Sequence, residues 1–201
     1  MKKNKTMKGF QKKLRREIGR DEAEKIMSSS YIRFQELLDE NSGESRELQE
    51  HSVKIIYPAI ALADTLQSSG WTREKAVSWI YSYFEEDAER DAASMRIMLK
   101  IPFAYRLVPG MFLSVQEKDF GTRAGFESKV IVNEKDHIEF HMLKCPYNDL
   151  FRKYGYPDLV CCLCHQDDVK NGNMHRKLVW SRKETLGSGG DHCDFSMEIK
   201  D

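Results

Sequence analysis

The chain has 201 residues, enough for one ordinary domain with a core that needs no disulfide staples, and its 32 Lys and Arg balance 32 Asp and Glu. A net charge of zero gives no whole-chain attraction for nucleic acid or for an anionic membrane. No run of about 20 apolar residues occurs, and no apolar core follows the basic start, so neither a membrane span nor a signal peptide is expected and the protein is placed in the cytoplasm.

Residues 1–20 set Lys2, Lys3, Lys5, Lys8, Lys12, Lys13, Arg15, Arg16 and Arg20 against Glu17 alone, which predicts a solvated basic arm. A helical part spanning 21–120 follows. Met27, Tyr31, Phe34, Leu37 and Leu38 trace an apolar stripe at helical spacing that Ser42-Gly43 ends. A second helix runs from about Ser45 to Ser69, where Pro58 should kink or divide it and Gly70 should stop it. Thr72 then caps a long helix with Ala76, Val77, Trp79, Ile80, Tyr83 and Phe84 inward and Glu85 to Asp91 solvated. Pro102 and Pro109-Gly110 punctuate two short helices, around Phe103 to Val108 and around Met111 to Val115.

Residues 121–201 change character, because from Lys129 the apolar period becomes two. Val130 and Val132, a turn over Asn133 to Asp136, and Ile138, Phe140 and Met142 predict a hairpin. Pro146 opens a short helix that Gly155 ends, and Pro157 opens another over about Asp158 to Asp167. A loop at Asn171 to Asn173, a strand over Lys177 to Arg182, a Gly187 to Gly190 turn and a last strand over Cys193 to Ile199 complete the chain. The expected fold class is α+β: an N-terminal helical layer packed on a small antiparallel sheet of about four strands with inserted helices, in one compact unit. Trp71, Trp79 and Trp180 are expected in the core, and His51 and His175 at the surface. His137 and His141 share one strand face, solvated or hydrogen-bonded.

The chemistry concentrates in this second part. All five cysteines, Cys145, Cys161, Cys162, Cys164 and Cys193, lie there, and an odd number without an export signal points to thiols, metal ligands or small buried residues. Cys145 stands at the head of a helix, where free amides favour an anion. Cys164 and Asp167, three apart on a helix, share a face on which a sulfur and a carboxylate can converge. Asp168 should point elsewhere, Cys161 can join the Cys164 face, and Cys162 belongs to the core. His192 could serve as base for the Cys193 thiol, although neighbours in a strand face opposite ways. Cys145, Cys164, Asp167 and Cys193 also make a four-ligand set for zinc. Gly187 to Gly190 lacks the context of a phosphate loop and reads as a tight turn, closed by Asp191 and Asp194 through backbone amides.

Cys145-Pro146-Tyr147, Cys164-x-x-Asp167, Arg182-x-x-Thr185-Leu186 and Gly190-Asp191-x-Cys193-Asp194-Phe195 together resemble the C-terminal pattern of the L-2-amino-thiazoline-4-carboxylic acid hydrolase family, over about the last 60 residues. The resemblance implies a hydrolase that opens a cyclic amidine C–N bond to a carbamoyl-cysteine product in cysteine metabolism. It places Cys193, Cys164, Asp167 and His192 in catalysis and Cys145, Asp191 and Arg182 at the substrate, with Arg182 as a two-pronged donor to its carboxylate. The attack comes from a Cys193 or Cys164 thiolate, or from water on a cysteine-bound metal. The partner implied is a small-molecule substrate, with no nucleic acid or membrane; no particular cofactor is implied, zinc is admitted, and a homo-oligomer is compatible. A competing likeness is to small-molecule-binding domains of the vinyl-4-reductase type, in which cysteines hold a structural zinc.

Overall fold

The computed structural model describes residues 4–200. Helix α1 (Lys5–Ile18) stands where the sequence suggested a solvated arm. Met7, Phe10 and Leu14 recur at spacings of three and four and are wholly buried, so the basic residues of this segment form the outer face of a packed helix. Lys13 is itself buried, and its ammonium donates to Ser82 Oγ at 2.8 Å and meets the Glu86 carboxylate at 2.5 Å on the neighbouring helix. Lys2 and Lys3 lie outside the described residues.

Helices α2 (Arg20–Glu40), α3 (Arg46–His51), α4 (Tyr57–Ser68) and α5 (Arg73–Met98) complete the helical layer. Pro58 divides the second predicted helix as expected, since it cannot donate to the preceding turn and its ring crowds it. The backbone responds with a π-helical turn over Ser52–Ile56 immediately before α4. Gly70 adopts a left-handed φ of +91° beyond α4, and Thr72 caps α5 by accepting from the Lys75 amide at 3.2 Å. Of the tryptophans only Trp79 is buried; Trp71 and Trp180 are partly exposed.

A short 3-10 turn over Ala104–Leu107 leads into α6 (Val108–Asp119). The sheet follows, with strands β1 (Glu127–Asn133), β2 (His137–Lys144), β3 (Leu178–Ser181) and β4 (Cys193–Ile199) paired antiparallel in the order β1-β2-β4-β3. Helices α7 (Pro146–Lys153) and α8 (Pro157–Gly172) are inserted between β2 and β3. Alternation puts Ile138, Phe140 and Met142 of β2 on the buried face opposite Met197, Phe195 and Cys193 of β4. Phe112 of α6 covers this face, 5.2 Å from the Phe140 ring and 5.5 Å from Trp180. The helical core also takes in Phe151, Tyr156, Leu159, Val160 and Cys162 from α7 and α8. The inserted helices therefore belong to the N-terminal layer as much as to the sheet, and they carry their thiols to the seam between the two.

Candidate active site

Three chain segments meet at that seam: the β2–α7 junction, the middle of α8, and the loop from Arg182 to the start of β4. Cys145 is the residue before Pro146 at the head of α7. Cys164 and Asp167 share one side of α8, and Cys193 is the first residue of β4 on its buried face. Tyr147 packs against both the helical core and the sheet core and so bridges them. The thiol of Cys145 feels Cys193 and Cys164, Cys164 feels Cys193 and Asp167, and Tyr147 feels Cys145 and Asp167. Groups from positions 145 to 193 are thus near enough to disturb one another's ionisation.

Burial governs that ionisation. It pushes Cys145 up to about 12, against a pull from the Asn148 and Tyr147 amides at the helix head, which fall short of a full cap hydrogen bond. It pushes Cys164 up to about 11 although the Arg182 charge opposes it, and it raises Cys193 as well. The Cys193 sulfur accepts from the Leu186 amide at 3.2 Å. Asp167 is pushed up to about 6, again by burial, with Arg182 as the largest opposing influence. Protein crowds the Asp167 carboxylate, yet its side chain keeps 45% of its accessible surface. The carboxylate is therefore both crowded and reachable, and Cys145, Tyr147 and Cys164 are likewise only partly buried.

Arg182 organises the α8 side. Its side chain is 3% exposed and donates to Asp168 Oδ2 at 2.7 Å, to Asp167 Oδ2 at 3.3 Å and to the Cys164 carbonyl at 2.5 Å. These contacts correct two expectations. Arg182, expected as a two-pronged donor to a substrate carboxylate, is engaged with these protein partners instead. Asp168 does not point away, since it grips Arg182 and accepts from Trp180 Nε1 at 3.0 Å. Gly187 explains how the loop comes so close to α8: a Cβ there would lie 2.7 Å from Val160 and 3.1 Å from the Cys164 sulfur.

Other expected residues fall elsewhere. His192 stacks on His141 with ring centres 3.9 Å apart and pairs with Glu184 at 2.7 Å, on the polar face of the sheet opposite Cys193, so it is no base for that thiol. His137 meets Ser196 Oγ at 3.1 Å on the same face. Asp191 is exposed in the bend before β4, whereas Asp194 accepts from the Lys183 and Glu184 amides at 2.9 and 2.8 Å. Cys161 is exposed beside the Gly187 carbonyl and Cys162 is buried. Among the described residues no three His, Cys, Asp or Glu side chains are arranged to hold a metal ion, so Cys145, Cys164, Asp167 and Cys193 do not form the preformed zinc site of the alternative reading.

One residue of the seam escaped the sequence. His51 was expected at the surface but is buried, enclosed by the Phe120, Phe126 and Tyr147 rings. Its Nε2 lies 2.6 Å from the Asp119 carbonyl, which can only accept, so Nε2 carries the proton and Nδ1 accepts from the Tyr147 hydroxyl at 3.0 Å. Burial lowers its pKa, which keeps that neutral arrangement. The π-helical turn that begins at Ser52 is the only local irregularity marking it, and periodicity does not reveal such a turn.

A comparison with curated proteins finds no match to the chain. The model of the L-2-amino-thiazoline-4-carboxylic acid hydrolase family matches residues 49–197, a span that starts inside α3 just before His51, takes in α4 to α8 and the first three strands, and ends inside β4. That span covers well over half of the sequence, and the chain belongs to the L-2-amino-thiazoline-4-carboxylic acid hydrolase family.

Proposed function

We propose that the protein is a hydrolase that opens the C–N bond of a cyclic amidine of the thiazoline-carboxylate type. One observation carries the reading: a reachable carboxyl, Asp167, held near neutrality at about 6 among three protonated thiols and a buried arginine. A group that gains and loses a proton near working pH is suited to general acid–base work. Cys164 is the better nucleophile, because it is partly exposed and shares a helix side with Asp167, while Cys193 is buried with its sulfur occupied by the Leu186 amide.

In this scheme the Cys164 sulfur bonds to the ring carbon that lies between ring sulfur and ring nitrogen. The C–N bond breaks, and the thiol proton passes through Asp167 to the leaving nitrogen. Water then attacks the same carbon and releases the Cys164 thiol, leaving a carbamoyl group on the substrate sulfur. Arg182, itself gripped by Asp168, holds Asp167 in place, and the His51 ring fixes Tyr147.

The test is turnover of L-2-amino-thiazoline-4-carboxylate by wild type, Cys164→Ala, Cys193→Ala and Asp167→Asn, with circular dichroism as the fold control. The scheme expects folded but inactive Cys164→Ala and Asp167→Asn. If Cys164→Ala turns over normally and Asp167→Asn does not, the thiol is no nucleophile and the carboxylate activates water directly. No turnover by folded wild type rejects the substrate class.

A further inference from the structure

The zero net charge of the chain conceals a local imbalance. From residue 92 to 116 there is no Asp or Glu, yet Arg96, Lys100 and Arg106 fall in that stretch. The same stretch presents Ile97, Ile101, Phe103, Leu107, Met111 and Val115 to solvent, with Phe103 68% and Leu107 65% exposed. Leu107, Met111 and Val115 are four apart and line one outer stripe that runs along α6. Beside them lies a cleft of about 410 Å³ whose floor holds Leu99 and Tyr105 and whose rim holds Arg96, Lys100, Arg176 and Lys177, with no acidic residue in its lining. Glu89 lies 3.8 Å from Arg96, and Asp136 is close enough to influence Tyr105.

Phe103 adds an independent observation. It is the one non-glycine with positive φ among the described residues, at +66°, a conformation that a bulky side chain rarely holds. That backbone turns the ring outward, with the Arg106 guanidinium 5.5 Å from its centre. Burial elsewhere does not account for the strain, because the ring is exposed. Apolar side chains at a projecting tip with cations around them match a surface that inserts at a lipid headgroup boundary, where the cations meet anionic headgroups. A second copy seated face to face would set these cations against their own images, which disfavours self-association through this patch.

We infer that the end of α5, the turn at 99–107 and the outer stripe of α6 form a docking surface for an anionic lipid membrane, with Phe103 and Leu107 entering the headgroup boundary. The proposal is independent of the hydrolase reading. It is tested by co-sedimentation of the full chain with vesicles of phosphatidylcholine alone and of phosphatidylcholine mixed with phosphatidylglycerol. The expected result is binding to the mixed vesicles only, weakened by added salt. The Phe103→Ser, Leu107→Ser double variant should lose it, and Lys100→Ala and Lys177→Ala should each weaken it roughly fivefold. Equal retention by both vesicle types, no retention by either, undiminished binding of the double variant, or a dimer in solution that Phe103→Ser dissolves would each overturn the proposal.

Discussion

Ionising Asp167 in the folded chain is uphill, because protein crowds the carboxylate and the Arg182 charge only partly offsets its lost hydration. Its folded pKa of about 6 lies above the ordinary 3.8, so between these values the native state holds the proton more tightly than the unfolded chain does. The stability this group contributes is present below that window and is lost as pH rises through about 6. Asp167→Asn should therefore melt at or above wild type near pH 7.5 and show no advantage near pH 4; a lower melting temperature at the higher pH contradicts the assignment. Arg182 still keeps Asp168 and the Cys164 carbonyl in that variant. Arg182→Met removes the cation and strands two carboxylates that each keep 45% of their surface, so urea unfolding should show a loss on the order of 2 kcal/mol, less than for a fully buried pair. A loss within about 0.5 kcal/mol, the scale of an ordinary surface change, would show that the arginine is not structural.

Helix α1 illustrates how charge counting misleads at the scale of an element. The basic residues announce a solvated arm, yet Met7, Phe10 and Leu14 carry the fold, and Trp79 Nε1 donates to Glu17 at 2.5 Å, the one counter-charge the sequence offered there. Gly9 faces Tyr83 so closely that a methyl would overlap its hydroxyl. Gly9→Ala should destabilise by about 1–3 kcal/mol through overpacking, whereas an unpacked arm would tolerate it or gain from the better helix former. At the 99–107 turn the opposite holds. Phe103→Gly relieves the left-handed strain and should stabilise by about 0.5–1 kcal/mol in denaturant titration, after the greater unfolded freedom of glycine is discounted. The bounds of β4 were legible because glycines and strict alternation frame it. The end of α8 was not: Asn171-Gly172-Asn173 reads as a loop, but Gln166 Nε2 donates to the Phe84 carbonyl at 2.9 Å and Lys170 meets Asp91 at 3.2 Å, and packing on α5 carries the helix to Gly172.

For the whole molecule, the α+β class with a four-strand antiparallel sheet and the β1–β2 hairpin followed from the switch between helical and alternating periods, whereas the order β1-β2-β4-β3 did not. Cys145, Cys164, Asp167 and Cys193 were grouped in the sequence on a separate ground, because each stands at an element end or on a defined helix side. What periodicity could not supply were contacts between distant segments: His51 with Tyr147, 96 positions apart, and Asp168 with Arg182. His192 was misplaced for a related reason, since stacking on His141 depends on the register of β2 with β4. The proposed site thus lies at the seam between the helical layer and the sheet, and its central feature is the Asp167 carboxyl, whose pKa burial raises to about 6. The pH dependence of kcat/KM for thiazoline ring opening tests this most directly. The account predicts a limb that rises through about pH 6 to a plateau, and an Asp167→Asn enzyme that lacks the limb and is slower by roughly 10²–10⁴-fold. A wild-type profile flat across that range, or an Asp167→Asn variant at the wild-type rate, would contradict it.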